Sequence, residues 1–273
     1  MKQKKINLSR HKAGKADGHT GSGSAANRKL QVLKKGDEEI RLNRFIANSG
    51  VCSRREADKL IGEGGILVNG KVVTELGAKV RKKDVVTYKG RQLDAEQKIY
   101  LLLNKPRGYV TTLDDPHAEH TVMDLVGEAC EERIYPVGRL DKDTSGVLLF
   151  TNDGDLAKKL THPSFEKKKI YHVFLTRELL EEHMEMIRNG ITLEDGLIAA
   201  DAVNYADDND KKQVGIEIHS GKNRIVRRIF EHLGYKVARL DRVVFAGLTK
   251  KNLPRGKWRF LSPREVAFLK MNT

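Results

Sequence analysis

The sequence predicts an α+β protein, with a small N-terminal module ahead of a larger domain built on a mixed or antiparallel sheet. Three observations carry this. Strand-like and helix-like runs are interspersed with no regular βαβ repeat. A capping box and an Asn-Gly turn place helix and hairpin side by side in the first third. Apolar residues alternate at Val214, Ile216 and Ile218, the period of a half-buried strand. A length of 273 residues leaves room for more than one domain and for fewer than three.

Residues 1–38 are rich in Lys, Gly, Ser and Ala and show no apolar period. Such a segment buries too little apolar surface to offset its ordering entropy, which predicts a disordered basic tail. A module over residues 39–90 follows. Leu42, Phe45 and Ile46 give a short helix one apolar face, and Asn48-Ser49-Gly50 stops it. Ser53-Arg54-Arg55-Glu56 is a capping box opening a second helix through about Gly62. Ile66-Leu67-Val68, Asn69-Gly70 and Lys71-Val72-Val73 form a hairpin with a tight turn. Polar residues 91–98 are the expected linker. The larger domain spans 99–273, with strands expected at Ile99–Leu103, at Gly146–Thr151 and over Ile170–Phe174. Thr176 is the candidate cap of a helix that stops at Asn189-Gly190. Residues 223–233 read as an amphipathic helix with Gly234 just past its end.

Hydrophobic residues make up 39% of the chain, enough for an ordinary core. No apolar run approaches the ~18–20 residues of a membrane-spanning helix, and no secretory signal is expected at the N-terminus. Cys52 and Cys130 are the only cysteines. They point to a reducing cytoplasm and exclude a disulfide framework or a thiol-rich zinc site. The net charge is +14, and its distribution is uneven. Residues 1–35 carry ten Lys/Arg against one acid, and residues 41–94 twelve against six, while residues 95–273 carry twenty-nine against twenty-seven. A basic module on a nearly neutral body suits delivery to a polyanion. Arg41, Arg44, Arg54, Arg55 and Lys59 crowd the two predicted helices and are the candidate phosphate contacts.

No phosphate-binding Gly-x-x-x-x-Gly-Lys-Ser/Thr, His-Glu-x-x-His or paired-cysteine motif occurs. The expected chemistry therefore uses no cofactor and no metal. The densest candidate site is Gly138-Arg139-Leu140-Asp141-Lys142-Asp143-Thr144-Ser145-Gly146, entering an apolar strand. The hydroxyls of Thr144 and Ser145 are expected to fix this loop by bonding its backbone, leaving Asp141 rigidly held. An isolated aspartate would more simply close a turn. The predicted helix at 223–233 favours a functional reading. Arg224, Arg227, Arg228 and Glu231 fall at i, i+3, i+4 and i+7 on one face, while Ile225, Ile229 and Phe230 pack inward. An arginine of that face would pair with the carboxylate and keep it ionised.

Two resemblances gather these pieces. Arg41-Leu42-Asn43, Ser53-Arg54-Arg55-Glu56-Ala57 and Ile66-Leu67-Val68-Asn69-Gly70 resemble the small RNA-binding domain named after ribosomal protein S-four, two helices on a hairpin. Further on come Lys105-Pro106-Arg107-Gly108 with Thr111, Gly138-Arg139-Leu140-Asp141 with Thr144-Ser145-Gly146, Lys169-Ile170-Tyr171, and Gly221-Lys222-Asn223-Arg224 with Val226-Arg227-Arg228. In that order they resemble the RsuA-type ribosomal RNA pseudouridine synthases over residues 41–270. The chain departs from that pattern at Ile225, where relatives often carry Gln or Glu.

The resemblance implies a catalytic domain with a mixed, mainly antiparallel sheet and flanking helices. It implies isomerisation of uridine to pseudouridine in ribosomal RNA of the large subunit, free or in a subunit precursor. Asp141 matches the catalytic aspartate, Tyr171 the tyrosine that packs on the target base, and Arg227 the aspartate's basic partner. Arg139 matches the residue that fills the space left by a flipped nucleotide; Lys105 and Thr144 match site support, and Arg224 and Arg228 are expected to meet RNA. The expected protein is cytoplasmic, monomeric and free of membranes. Two alternatives stand beside it: a non-catalytic ribosome-binding or assembly factor, and the same chemistry on transfer RNA.

Overall fold

The computed structural model describes residues 39–272. The tail expected over residues 1–38 lies outside them. Chain order in the module is β1 (Ile40–Arg41), α1 (Leu42–Asn48), α2 (Arg54–Gly62), β2 (Ile66–Val68), β3 (Lys71–Val72), β4 (Lys79–Val80), β5 (Val86–Tyr88) and β6 (Arg91–Gln92). Ser53 opens α2 as expected. Its hydroxyl accepts from the Glu56 N–H, and the Glu56 carboxylate accepts from the Ser53 N–H at 2.7 Å. Asn69 and Gly70 both take positive φ, 52° and 78°, the two left-handed residues that a twisted two-residue hairpin requires. Beyond that hairpin, β2 also pairs with β5, giving a four-stranded sheet in the order β3-β2-β5-β6. Leu42, Ile46, Ala57 and Ile61 of the helices pack on Ile66, Val80, Val86 and Leu93. The expected linker at 91–98 needs correction at its start: β6 belongs to the sheet and Leu93 to the core, because β5 needs a partner on its outer edge.

The larger domain continues with β7 (Tyr100–Lys105), α3 (Met123–Val126), β8 (Tyr135–Pro136), β9 (Thr144–Thr151), α4 (Gly154–Thr161), β10 (Lys169–Leu175) and α5 (Glu181–Asn189). Then come β11 (Ile191–Leu193), β12 (Gly196–Ile198), β13 (Ala202–Tyr205), β14 (Gln213–Ile218), α6 (Ile225–His232), β15 (Val237–Phe245), β16 (Leu248–Thr249), β17 (Trp258–Phe260) and α7 (Pro263–Met271). The main sheet runs β13-β14-β10-β15-β9-β7-β17, with β16 and β8 paired at its side. Every pairing in it is antiparallel except β9 with β15. The sheet is thus mixed and mainly antiparallel.

Burial explains the strand sequences. All residues of β7 and β9 are buried, so both read as continuous apolar runs rather than alternations. One face packs on Leu156 and Leu160 of α4 and Leu269 of α7, the other on Val122, Val126 and Ile134. In the β14-β10 part of the sheet, α5 and α6 cover Val173, Val214, Ile216 and Ile218 with Met184, Ile187, Val226, Ile229 and Phe230. Truncating Phe230, fully buried there, to Ala should cost about 3–5 kcal/mol.

Two helix boundaries differ from expectation. Thr176 does not cap α5. Its N–H is used by the Lys236 carbonyl, and the helix starts at Glu181 after Leu180, which provides no side-chain cap. Glu181 and Glu182 in the first turn complement the helix dipole instead. α6 starts at Ile225, because Arg224 takes a left-handed φ of 47° and stands outside the helix.

Candidate active site

The loop before β9 is held by its own carbonyls. Thr111 Oγ1 donates to Leu140 O at 2.6 Å, and the Thr144 N–H donates to Asp141 O at 3.0 Å. Lys105 ends β7 with its side chain fully buried. Its Nζ donates to Asp141 O at 3.1 Å, Lys142 O at 3.4 Å, Thr144 O at 2.9 Å and Pro106 O at 3.1 Å. The Gly108 N–H adds a bond to Lys142 O at 2.9 Å, and Arg227 Nη2 one to Asp143 O at 3.3 Å. Every carbonyl from Leu140 to Thr144 is therefore fixed. Burial draws the Lys105 ammonium down to about 8, while the charges of Asp141 and Asp143 oppose that fall.

Within this frame the Asp141 carboxylate is half-buried and lines a cleft of about 160 Å³. Tyr171 and Lys169 on β10, Arg139 on the loop, Arg224 before α6 and Arg242 on β15 line the same cleft. The Tyr171 ring packs against the apolar clusters on both sides of it. Lys169 fastens the start of β10 to the loop before α6, donating to His219 O at 2.6 Å and Ser220 O at 3.3 Å. Burial first, then the charge of Arg242, lowers the Lys169 ammonium to about 8.

Several expected contacts are made differently. Arg227 is buried rather than on the polar face of α6, and it forms no ion pair with Asp141 within 4.0 Å among the described residues. Its guanidinium reaches beneath the loop, to Asp143 O and to Val237 O at 3.2 Å, and senses Asp141 only through its charge. Thr144 Oγ1 is buried with no partner, and Ser145 Oγ donates across to Leu240 O on β15. Neither hydroxyl fixes the loop; Lys105 and Thr111 do so. Arg228 is held by the Asp195 carboxylate at 2.9 and 2.7 Å, and the Arg228 guanidinium, ahead of Lys222, holds that carboxyl down at about 2. Arg44 pairs with Asp155 of α4. Arg41, Arg54, Arg55 and Lys59 stand exposed, whereas Arg224 lies 3.8 Å from Glu231.

Gly146 explains the last letter of the Thr-Ser-Gly element. A Cβ there would lie 2.1 Å from the Arg242 carbonyl, so the parallel approach of β9 to β15 excludes any side chain. Sequence reasoning passed over Lys169, which stood in a quoted motif without a role, and Arg242, which no motif contained. Arg242 did leave a signal: Leu240 and Arg242 share the core face of β15, where an arginine is anomalous.

Comparison with known proteins identifies the family of the chain. Residues 99–232 match the RNA pseudouridylate synthase family and residues 40–86 match the S4 domain. The chain is 43% identical to ribosomal large subunit pseudouridine synthase B of Bacillus subtilis (strain 168), over 84% of this chain and 95% of that protein. It is 34% identical to the dual-specificity RNA pseudouridine synthase RluF of Escherichia coli (strain K12), over 84% of this chain and 78% of that one. A crystal structure of a pseudouridylate synthase superposes with a TM-score of 0.61 at 28% identity, over 84% of this chain and 99% of the other. The chain therefore belongs to the RNA pseudouridylate synthase family and carries an S4 domain ahead of its synthase domain.

Proposed function

We propose that this protein converts a defined uridine of large-subunit ribosomal RNA to pseudouridine, with Asp141 as the reacting carboxylate. One observation carries the assignment of Asp141: its carboxylate takes no hydrogen bond among the described residues, although every carbonyl of the loop beneath it is tied down. A group so placed is positioned in advance and has no other occupation. The reaction needs the bond from the sugar C1′ to uracil N1 to break and a bond from C1′ to C5 to form, with the C5 proton leaving and N1 taking one up. Nothing is oxidised and no group is imported. Asp141 supports either of two routes, attack as a nucleophile or removal of a sugar proton as a base.

The target base lies in a stack or helix and must be flipped out to reach this cleft. Tyr171, seated between two apolar clusters, is a firm platform for it, and the exposed Arg139 at the rim suits the space the base vacates. Lys105, Arg227 and the backbone of Thr144 belong to the support of the loop. Exposed Arg41, Arg54, Arg55 and Lys59 of the S4 domain add phosphate contacts, together with Arg224 beside the cleft, whereas Arg228 is taken up by Asp195. One chain supplies Asp141, Tyr171 and Arg227, so a monomer suffices. In this reading the protein works in the cytoplasm, which a ribosomal RNA substrate supports.

A pseudouridine map of total RNA tests this, using carbodiimide labelling and reverse-transcription stops. Cells lacking the protein are compared with cells carrying wild type or Asp141→Asn. The expected result is one ribosomal stop that only wild type restores. An unchanged map in all three would sink the reading and favour an assembly factor. The dual-specificity name of one relative is the reason to map transfer RNA in the same samples.

A further inference from the structure

Arg242 occupies a position where an arginine is costly. It lies in the middle of β15, between Tyr171 of β10 and Gly146 of β9 in the strand register. The residue is 3% exposed. Its Nε donates to Val147 O at 2.8 Å, and its guanidinium lies 4.6 Å from the centre of the Phe245 ring. Its Nη2 is buried with no partner. Among the described residues no carboxylate lies within the 4.0 Å of an ion pair. Burial weakens its hold on the proton, and the Tyr171 side chain acts in the other direction, first through its charge and then as a hydrogen-bond partner of the guanidinium. A buried, unpaired cation opposes folding, and an apolar side chain would fill a core-facing strand position without that cost. Such exceptions concentrate where a chain keeps a group for function.

We propose that Arg242 is a positioning residue for Tyr171: its guanidinium, whose Nη2 has no other partner, is the donor that holds the Tyr171 hydroxyl and so sets the ring against the target base. The inference rests on the reading of the cleft as a pseudouridine-forming site. Val147 O and the Phe245 ring aim the guanidinium from behind, so the donor does not have to be reorganised when the base arrives. Arg242 thereby acts on the rate through Tyr171 and leaves RNA affinity to the surface cations.

The test is a double-mutant cycle on the full-length protein. The substrate is ribosomal RNA purified from cells lacking the enzyme, and the readout is the single-turnover rate of pseudouridine formation. Arg242→Met keeps the length of the side chain and removes the fork, and Tyr171→Phe removes only the hydroxyl. Arg242→Met should slow the reaction by about 30-fold with RNA affinity within about twofold of wild type, since misplacing a reacting partner slows chemistry without loosening remote contacts. In the Tyr171→Phe background it should cost less than about threefold more, because the group it acts through is gone. Its melting temperature should equal or exceed that of wild type, since a buried charge has been removed. A loss of equal size in both backgrounds, or a rate near wild type, overturns the proposal. If Arg242→Met does not unfold cooperatively, Arg242→Lys is read by the same criterion. Absence of turnover by wild type would instead sink the functional reading itself, and this proposal with it.

Discussion

The S4 domain and the cleft use the same residue types in opposite ways. In the S4 domain Arg41, Arg54, Arg55 and Lys59 point to solvent. Around the cleft Lys105, Arg227 and Arg242 are buried, and their donors go to backbone carbonyls rather than carboxylates. An exposed cation attracts phosphate over a distance set by salt. A buried one fixes backbone and directs a field that salt reaches poorly. The difference predicts that the two regions fail differently: the cleft should lose rate, and the S4 domain should lose affinity.

The sharpest way to break this division is at Asp141. Asp141→Asn should reduce single-turnover pseudouridine formation by about a thousandfold or more while RNA affinity stays within about twofold, since it removes a reacting group and no phosphate contact. A large loss of affinity would place Asp141 among the binding residues and end the comparison. Next in size is Lys105→Met. Several buried carbonyls lose their donor at once, and each unsatisfied group costs about 1–3 kcal/mol. The variant should melt earlier by several degrees and, when folded, turn over about 100-fold more slowly, because the loop no longer fixes Asp141. Normal turnover in Lys105→Met would show that Thr111, Gly108 and Arg227 hold the loop without it.

How much of this was legible in the sequence follows the same division. The α2 capping box and the Asn69-Gly70 turn were readable because each is closed within four residues. The Asp141 loop was readable as a motif, but its fastening was not. Lys105 lies thirty-six positions from Asp141, and nothing local announces that an ammonium will collect four carbonyls. Arg44 and Arg228 read as free because their carboxylates, Asp155 and Asp195, are distant in sequence. β15 escaped notice because Asp241 and Arg242 interrupt its apolar pattern and its register with β10 shifts twice. Thr176 misled because its local signature is that of a cap, while α5 begins only at Glu181, behind Leu180. Periodicity finds faces; it does not find which distant group a face will meet.

Raising the pH sharpens the comparison further. Burial lowers Lys105 and Lys169 to about 8 from 10.5. Between those values the unfolded chain keeps protons that the folded chain has released, so these two groups make the protein more stable as pH rises through that window. Activity should move the other way. A neutral Lys105 has two N–H groups for four carbonyls, and the loop should loosen. The single-turnover rate should fall by about tenfold per unit well above pH 8, as expected for one required proton. Melting temperature and rate, followed together from pH 7 to about pH 9.5, check both signs. A rate that stays flat would show that protonated Lys105 is not needed.

The smallest expected effect belongs to the S4 domain. Arg54 and Arg55 sit in the first turn of α2, exposed. Replacing both with Ala should leave the capping box intact, because Ser53 and Glu56 form it without them. Two lost phosphate contacts should reduce the steepness with which affinity falls with salt by roughly 1.4, at about 0.7 per contact on single-stranded RNA. Affinity at low salt should drop by about tenfold and by less at high salt, where screening has already removed most of the attraction. The rate on saturating RNA should not change. Filter binding across a salt series, paired with single-turnover rates, separates the outcomes. An unchanged slope would mean that these arginines meet no phosphate, and that RNA is held instead by the cations beside the cleft. An unchanged slope with a slower rate would mean that the S4 domain aligns the target rather than merely holding it, and the division between the two regions would have to be redrawn.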